Sequence, residues 1–153
     1  MKNKTKIIGI LNITDDSFSD GGKYLKISEA SKYINKMISD NCHIIDIGAE
    51  SSKPGFIEVP IDKQISRILP IISEIKKISD DITISIDTRS SKVAESALKK
   101  GANIINDVSS GNNDKNMFDV VAKYNADIIL THMPDEHLTS DNIKCDDILE
   151  NVE

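Results

Sequence analysis

Tryptophan is missing from this sequence, aromatic residues amount to only 4%, and arginine occurs just twice, at Arg67 and Arg89. A surface that stacks single-stranded bases needs aromatic platforms, and one that grips a phosphate backbone needs clustered basic side chains. Here 25 acidic residues outweigh 19 basic ones, for a net charge of −6, so no nucleic-acid partner is expected. Apolar runs stay far short of the roughly 18 residues of a membrane span. Near the N-terminus Asn12, Asp15 and Asp16 break any signal-peptide stretch. The two cysteines, Cys42 and Cys145, lie far apart without metal-ligand spacing, which points to a reduced, cytoplasmic compartment. Also lacking are a G-x-G-x-x-G after the first apolar run, a P-loop and a nucleophile elbow. Dinucleotide, P-loop and serine-hydrolase readings are weakened accordingly.

What is there is alternation. Short β-branched runs at Ile7–Ile13, Ile44–Ile47, Ile82–Ile86, Asn103–Asn106 and Ala126–Leu130 read as buried strands. Between them Ala30, Tyr33, Ile34, Met37 and Ile38 keep helical spacing, as do Ile61, Ile65, Ile68, Leu69, Ile72 and Ile75. Pro70 removes a hydrogen-bond donor from the second helix and should kink it. A third helix runs from about Ser91 to a Gly101 stop, and a fourth can start at Asp114 and carry Met117, Phe118 and Val121. Strand–helix alternation of this kind implies a parallel α/β architecture. With 39% apolar residues, no repeat and no low-complexity linker, the 153 residues read as one domain with a core.

The chemistry gathers at the strand ends. The first run finishes at Asn12, the second passes Asp46 to Gly48-Ala-Glu50, the third ends at Asp87, the fourth carries Asn106-Asp107, and the fifth runs into His132. A polar group near the carboxyl end of every strand is what a β/α active-site face requires. Any one of them reads equally well as a cap for the following helix or turn. Five together favour a converging site.

These stretches resemble dihydropteroate synthase, the folate-pathway member of the pterin-binding (β/α)8 barrels. Gly9–Gly22 and Ile45–Gly55 are similar to the family's first two signatures, Ile84–Thr88 and Ile104–Val108 to its pterin-contacting strand ends, and Leu130–Met133 to the end of its fifth strand. The resemblance implies a partial (β/α)8 TIM barrel of about five β/α units. It implies condensation of 6-hydroxymethyl-7,8-dihydropterin diphosphate with 4-aminobenzoate, giving 7,8-dihydropteroate and diphosphate. It assigns Asp87 and Asn106 to the pterin and Asn12 to a Mg²⁺ that meets the leaving diphosphate. Ser52 and Lys53 fall in the loop near the aminobenzoate and diphosphate, and no catalytic residue is assigned. Thr14–Tyr24 and Glu50–Val59 would be mobile loops at the site mouth. Departures from the family pattern are Asp15 for Pro, Ala49 for a second Gly, Lys53 for Arg, and Pro134-Asp-Glu-His137 for a glycine turn.

A complete barrel takes about 250 residues. Residues 1–153 are therefore expected to be a pterin-binding domain truncated before strands six to eight. Two further readings stand beside the synthase: the pterin-binding domain of a methyltetrahydrofolate methyltransferase, and a non-catalytic half-barrel. In the last case the partner would be a second copy of the chain or a complementary C-terminal fragment, because the first and fifth strands would carry unpaired apolar edges.

Overall fold

The computed structural model describes residues 5–13, 23–50 and 58–131, the side chains of 23–26 excepted. Five strands alternate with four helices: β1 (Ile8–Asn12), α1 (Lys23–Ser39), β2 (Ile44–Gly48), α2 (Ile61–Ile78), β3 (Thr83–Asp87), α3 (Ser91–Lys100), β4 (Ile104–Asp107), α4 (Met117–Lys123) and β5 (Asp127–Leu130). All strand pairs are parallel, and the spatial order β1-β2-β3-β4-β5 follows the sequence. A doubly wound sheet would reverse direction at a switch point. Unreversed order with each helix packing on the next (α1 on α2, α2 on α3, α3 on α4) is the topology of a β/α barrel wall.

Period-two alternation divides the sheet into two faces. Leu11, Ile45, Ile47, Ile84, Ile86 and Ile105 point to the helices and are buried against Ala30, Ile34, Ile68, Ile72, Ile75, Val93, Ala94 and Ala97. Each such isoleucine, fully withdrawn from water, contributes about 1.5–3 kcal/mol. This layer is the core. The opposite face carries Ile10 and Asn12, Asp46 and Gly48, Ser85 and Asp87, and Ile104 and Asn106, placed level with one another by the strand register.

Most expected elements are found within a residue or two, and the differences are physical. β2 and β3 are buried along most of their length, but β1 and β5 are not: Ile8 and Ile10 are 44% and 66% exposed and Leu130 is 47% exposed. Within the described residues each of these strands has a neighbour on one side only. Tyr33 and Phe118, read as part of helical apolar stripes, lie on exposed helix faces. The fourth helix starts at Met117, not Asp114: Asp114 forms the turn before it, its Oδ1 accepting from Asn116 N and its carbonyl from Met117 N. α2 runs as one helix through Pro70. α3 stops as expected at Gly101, whose φ of 102° only glycine adopts without strain. The expected loop Thr14–Tyr24 is shorter at its end, since Lys23 and Tyr24 already belong to α1. Residues 14–22, 51–57 and 132–153, with Ser52, Lys53, His132, His137 and Cys145, lie outside the described residues. No described helix is long and apolar enough to cross a membrane.

Candidate functional site at the carboxyl ends of the strands

The last inward-facing residue of each of the first four strands falls in one layer. Asn12 pairs with Gly48, Gly48 with Asp87, and Asp87 with Asn106. β1, β2 and β3 end at this layer and β4 one residue beyond it, so the polar groups sit at the rim. Gly48 separates two of them closely. A Cβ built on it would stand 2.7 Å from Asn12 Oδ1 and 3.5 Å from Asp87 Oδ2. The missing side chain lets an amide oxygen and a carboxylate oxygen approach the same point. Three of the five residues expected to form a site, Asn12, Asp87 and Asn106, are thus brought together, while Ser52 and Lys53 are not among the described residues.

Asp87 is the electrostatic centre of this layer. Burial pushes its carboxyl up to about 6, and the neighbouring carboxylates of Asp46, Glu50 and Asp107 push in the same direction, while the Arg89 guanidinium opposes them. Arg89 is held by Glu50, Nη2 to Oε2 at 3.0 Å. The other oxygen of Glu50 accepts the backbone N–H of Val59 at 2.8 Å, and Arg67 Nη1 donates to the Ala49 carbonyl at 2.8 Å. Glu50 therefore ties the end of β2 both to the entry of α2 and to the segment after β3.

Alternation separates the two polar residues at the end of β4. Asn106 points to the site, where its Nδ2 donates to Asp46 Oδ2 at 3.0 Å. Asp107 turns the other way, is fully buried, and accepts from Ser109 N, Ser109 Oγ and Gly111 N. Its work is to fold the β4–α4 turn. Asp46 and Gly48 belong to the strand-end group expected to converge, but neither carries an individual role in the expected site. Counting back two residues from Gly48 along β2 would have found Asp46 on the same face.

Asn12 tests the expected metal. Among the described residues there is no group of three or more His, Cys, Asp or Glu side chains able to hold an ion. A single hard amide oxygen at an open rim fits a Mg²⁺ that keeps most of its water and takes its other ligands from a substrate. The space left by Gly48 beside Asn12 Oδ1 is consistent with that donor set.

Comparison with known proteins places nearly the whole chain in one family. The pterin binding enzyme family matches residues 8–153. The dihydropteroate synthase of Staphylococcus haemolyticus is 48% identical over 132 residues, 86% of this chain and 49% of its own length. That of Bacillus subtilis is 43% identical over 153 residues, 99% of this chain and 53% of its own. A dihydropteroate synthase from Clostridium difficile, solved in the presence of pteroic acid, superimposes with a TM-score of 0.86 at 40% identity, covering 97% of this chain and 54% of its own. The chain thus spans about half the length of the curated relatives it matches. With a family match over nearly its whole length and a five-stranded barrel wall bearing the polar layer, this chain belongs to the pterin binding enzymes.

Proposed function

We propose that this chain provides the pterin-binding half of a dihydropteroate synthase. The reaction joins the amine of 4-aminobenzoate to the methylene carbon of 6-hydroxymethyl-7,8-dihydropterin diphosphate. A C–N bond forms, the C–O bond to diphosphate breaks, and the amine loses a proton. The observation that carries this reading is the in-register layer Asn12–Gly48–Asp87–Asn106. A pterin presents adjacent N–H donors and ring acceptors along one edge. An ionised Asp87 can accept from the donors, and the Asn106 amide can both donate and accept. Asn12 Oδ1 would hold Mg²⁺, which when bound supplies positive charge against the charge building on the leaving diphosphate. We assign Ser52 and Lys53 to the diphosphate and aminobenzoate side from their place in the second motif. The free Cys42 and the absence of a membrane-spanning helix among the described residues agree with a cytoplasmic location.

The exposed Ile8 and Ile10 and the one-sided pairing of β1 and β5 among the described residues call for further strands there, and we infer that the working enzyme supplies them from a complementary C-terminal half. Calorimetric titration with pteroic acid tests the site. Asp87→Ala should weaken binding by about 10–100-fold, the value of hydrogen bonds to a partly buried charge, and Lys53→Ala by much less. Equal losses would count against the clamp, and no binding by the unaltered protein would remove the pterin reading.

A further inference from the structure

Beneath the Asn12–Gly48–Asp87–Asn106 layer lies a second one, Ile10–Asp46–Ser85–Ile104. Its two outer members are apolar, yet its centre holds a carboxylate. Asp46 is only 7% exposed, and its Oδ1, like Ser85 Oγ, has no hydrogen-bond partner among the described residues. An unsatisfied buried acceptor destabilises a fold, because the hydration it loses is not replaced. An apolar residue of similar volume would avoid that loss, so fold stability does not explain Asp46. What the carboxylate does do is accept from Asn106 Nδ2 at 3.0 Å, reaching across β3 into the upper layer.

An amide side chain can turn over about its last torsion and exchange its oxygen for its nitrogen at little cost, so its orientation must be imposed from outside. Asp46 imposes it. A carboxylate accepts and cannot donate, so one N–H of Asn106 is drawn down to it. Asn106 Oδ1 and the second N–H are left for a ligand. We propose that Asp46 is a positioning residue that fixes the amide of Asn106 in the orientation that reads the pterin edge. The inference rests on the pterin reading above and adds to it a residue that touches no ligand. Asparagine at position 46 keeps the shape but offers either an acceptor or a donor, so both orientations of Asn106 become available.

The test is a double-mutant cycle in the full protein with pteroic acid as the titrant. Asp46→Asn should weaken binding about tenfold, the scale of one charge-assisted hydrogen bond. In an Asn106→Ala background the same change should alter affinity by less than about twofold, since nothing is left to orient. Equal losses in both backgrounds, or no loss in either, would overturn the proposal while leaving the pterin site standing. An unaltered protein that fails to bind pteroic acid would overturn both. Should Asp46→Asn not fold, the unaltered protein decides by nuclear magnetic resonance. The Asn106 side-chain amide, identified by its loss in Asn106→Ala, should show one proton protected from exchange, and exchange of both at the solvent rate would refute the assignment.

Discussion

A single missing methyl group governs the rim of the sheet. Because a Cβ at position 48 would sit 2.7 Å from Asn12 Oδ1, Gly48→Ala must push that amide aside. Asn12 lies at an exposed rim, so the displacement need not disturb the core. Gly48→Ala is therefore expected to keep the melting temperature within a few degrees while pteroic acid binding falls sharply. Equal affinity in the variant would show that Asn12 and Asp87 do not act at one point. Asp87 brings a pH dependence of definite sign. Its carboxyl is raised from an ordinary 3.8 to about 6 by burial and by Asp46, so the folded state holds this proton more tightly than the unfolded chain does. The stability it contributes is complete below about 3.8 and is lost as pH rises through about 6. Asp87→Asn should accordingly melt higher than the unaltered protein at pH 7.5, and the gap should close near pH 4. Binding runs the other way. Only the ionised carboxylate accepts two N–H groups, so pterin affinity should rise between pH 5 and 7, and this rise should vanish in Asp87→Asn.

At the scale of elements, α3 shows how a helix start is completed from a distance. Local rules point to Ser90 as its cap, yet the Ser90 side chain makes no capping bond. The buried Ser91 N–H, which the helix itself leaves without a carbonyl partner, is met instead by Asp114 Oδ2 at 2.8 Å, from a residue 23 positions later. Hydrogen bonding from the Ser91 side chain above all, then from the Ser91 N–H and from Asn116, holds the Asp114 carboxyl below its ordinary value against the opposing effect of burial. Asp114→Ala should cost about 1 kcal/mol in urea unfolding at neutral pH, and Asp114→Asn, which keeps an acceptor, should cost less. Since the carboxyl is depressed, this contribution is present above an ordinary 3.8 and disappears as pH falls below it. An unchanged midpoint in Asp114→Ala would mean that water caps α3 equally well. The sequence alone showed the strands and helices because β-branched runs and helical spacing are local properties. The partner of Ser91 and the solvent-facing sides of Tyr33 and Phe118 depend on what packs where. Spacing along one element does not contain that. Asn12, Asp87 and Asn106 were legible as strand ends. Asp46 was legible as a polar residue near the end of the second strand, but its bond to Asn106 two strands away was not, because only the register brings the two together.

For the whole molecule, the decisive feature is the contrast between the centre of the sheet and its margins. Ile45, Ile47, Ile84, Ile86 and Ile105 are withdrawn from water, whereas Ile10 on β1 is 66% exposed and Leu130 on β5 is 47% exposed. Parallel strands are ordinarily covered on both faces and paired on both sides. Among the described residues the outer edges of β1 and β5 have no strand partner, and beside the exposed Ile8 and Ile10 such an edge is a template for another strand. The net charge of −6 offers only weak mutual repulsion at physiological salt. A polypeptide of these 153 residues should therefore associate. In sedimentation velocity it should run as dimers or larger species that persist at high salt, because the driving contacts are apolar, and it should show no synthase turnover by itself. Ile10→Lys places a charge on the β1 edge and should shift the distribution toward monomer. A separately made C-terminal half of a related synthase should compete for the same edges, dissolving the self-associated species as turnover with dihydropterin diphosphate, 4-aminobenzoate and Mg²⁺ appears. A compact monomer that turns over unaided would refute this picture, and five strands would then suffice to build a working site.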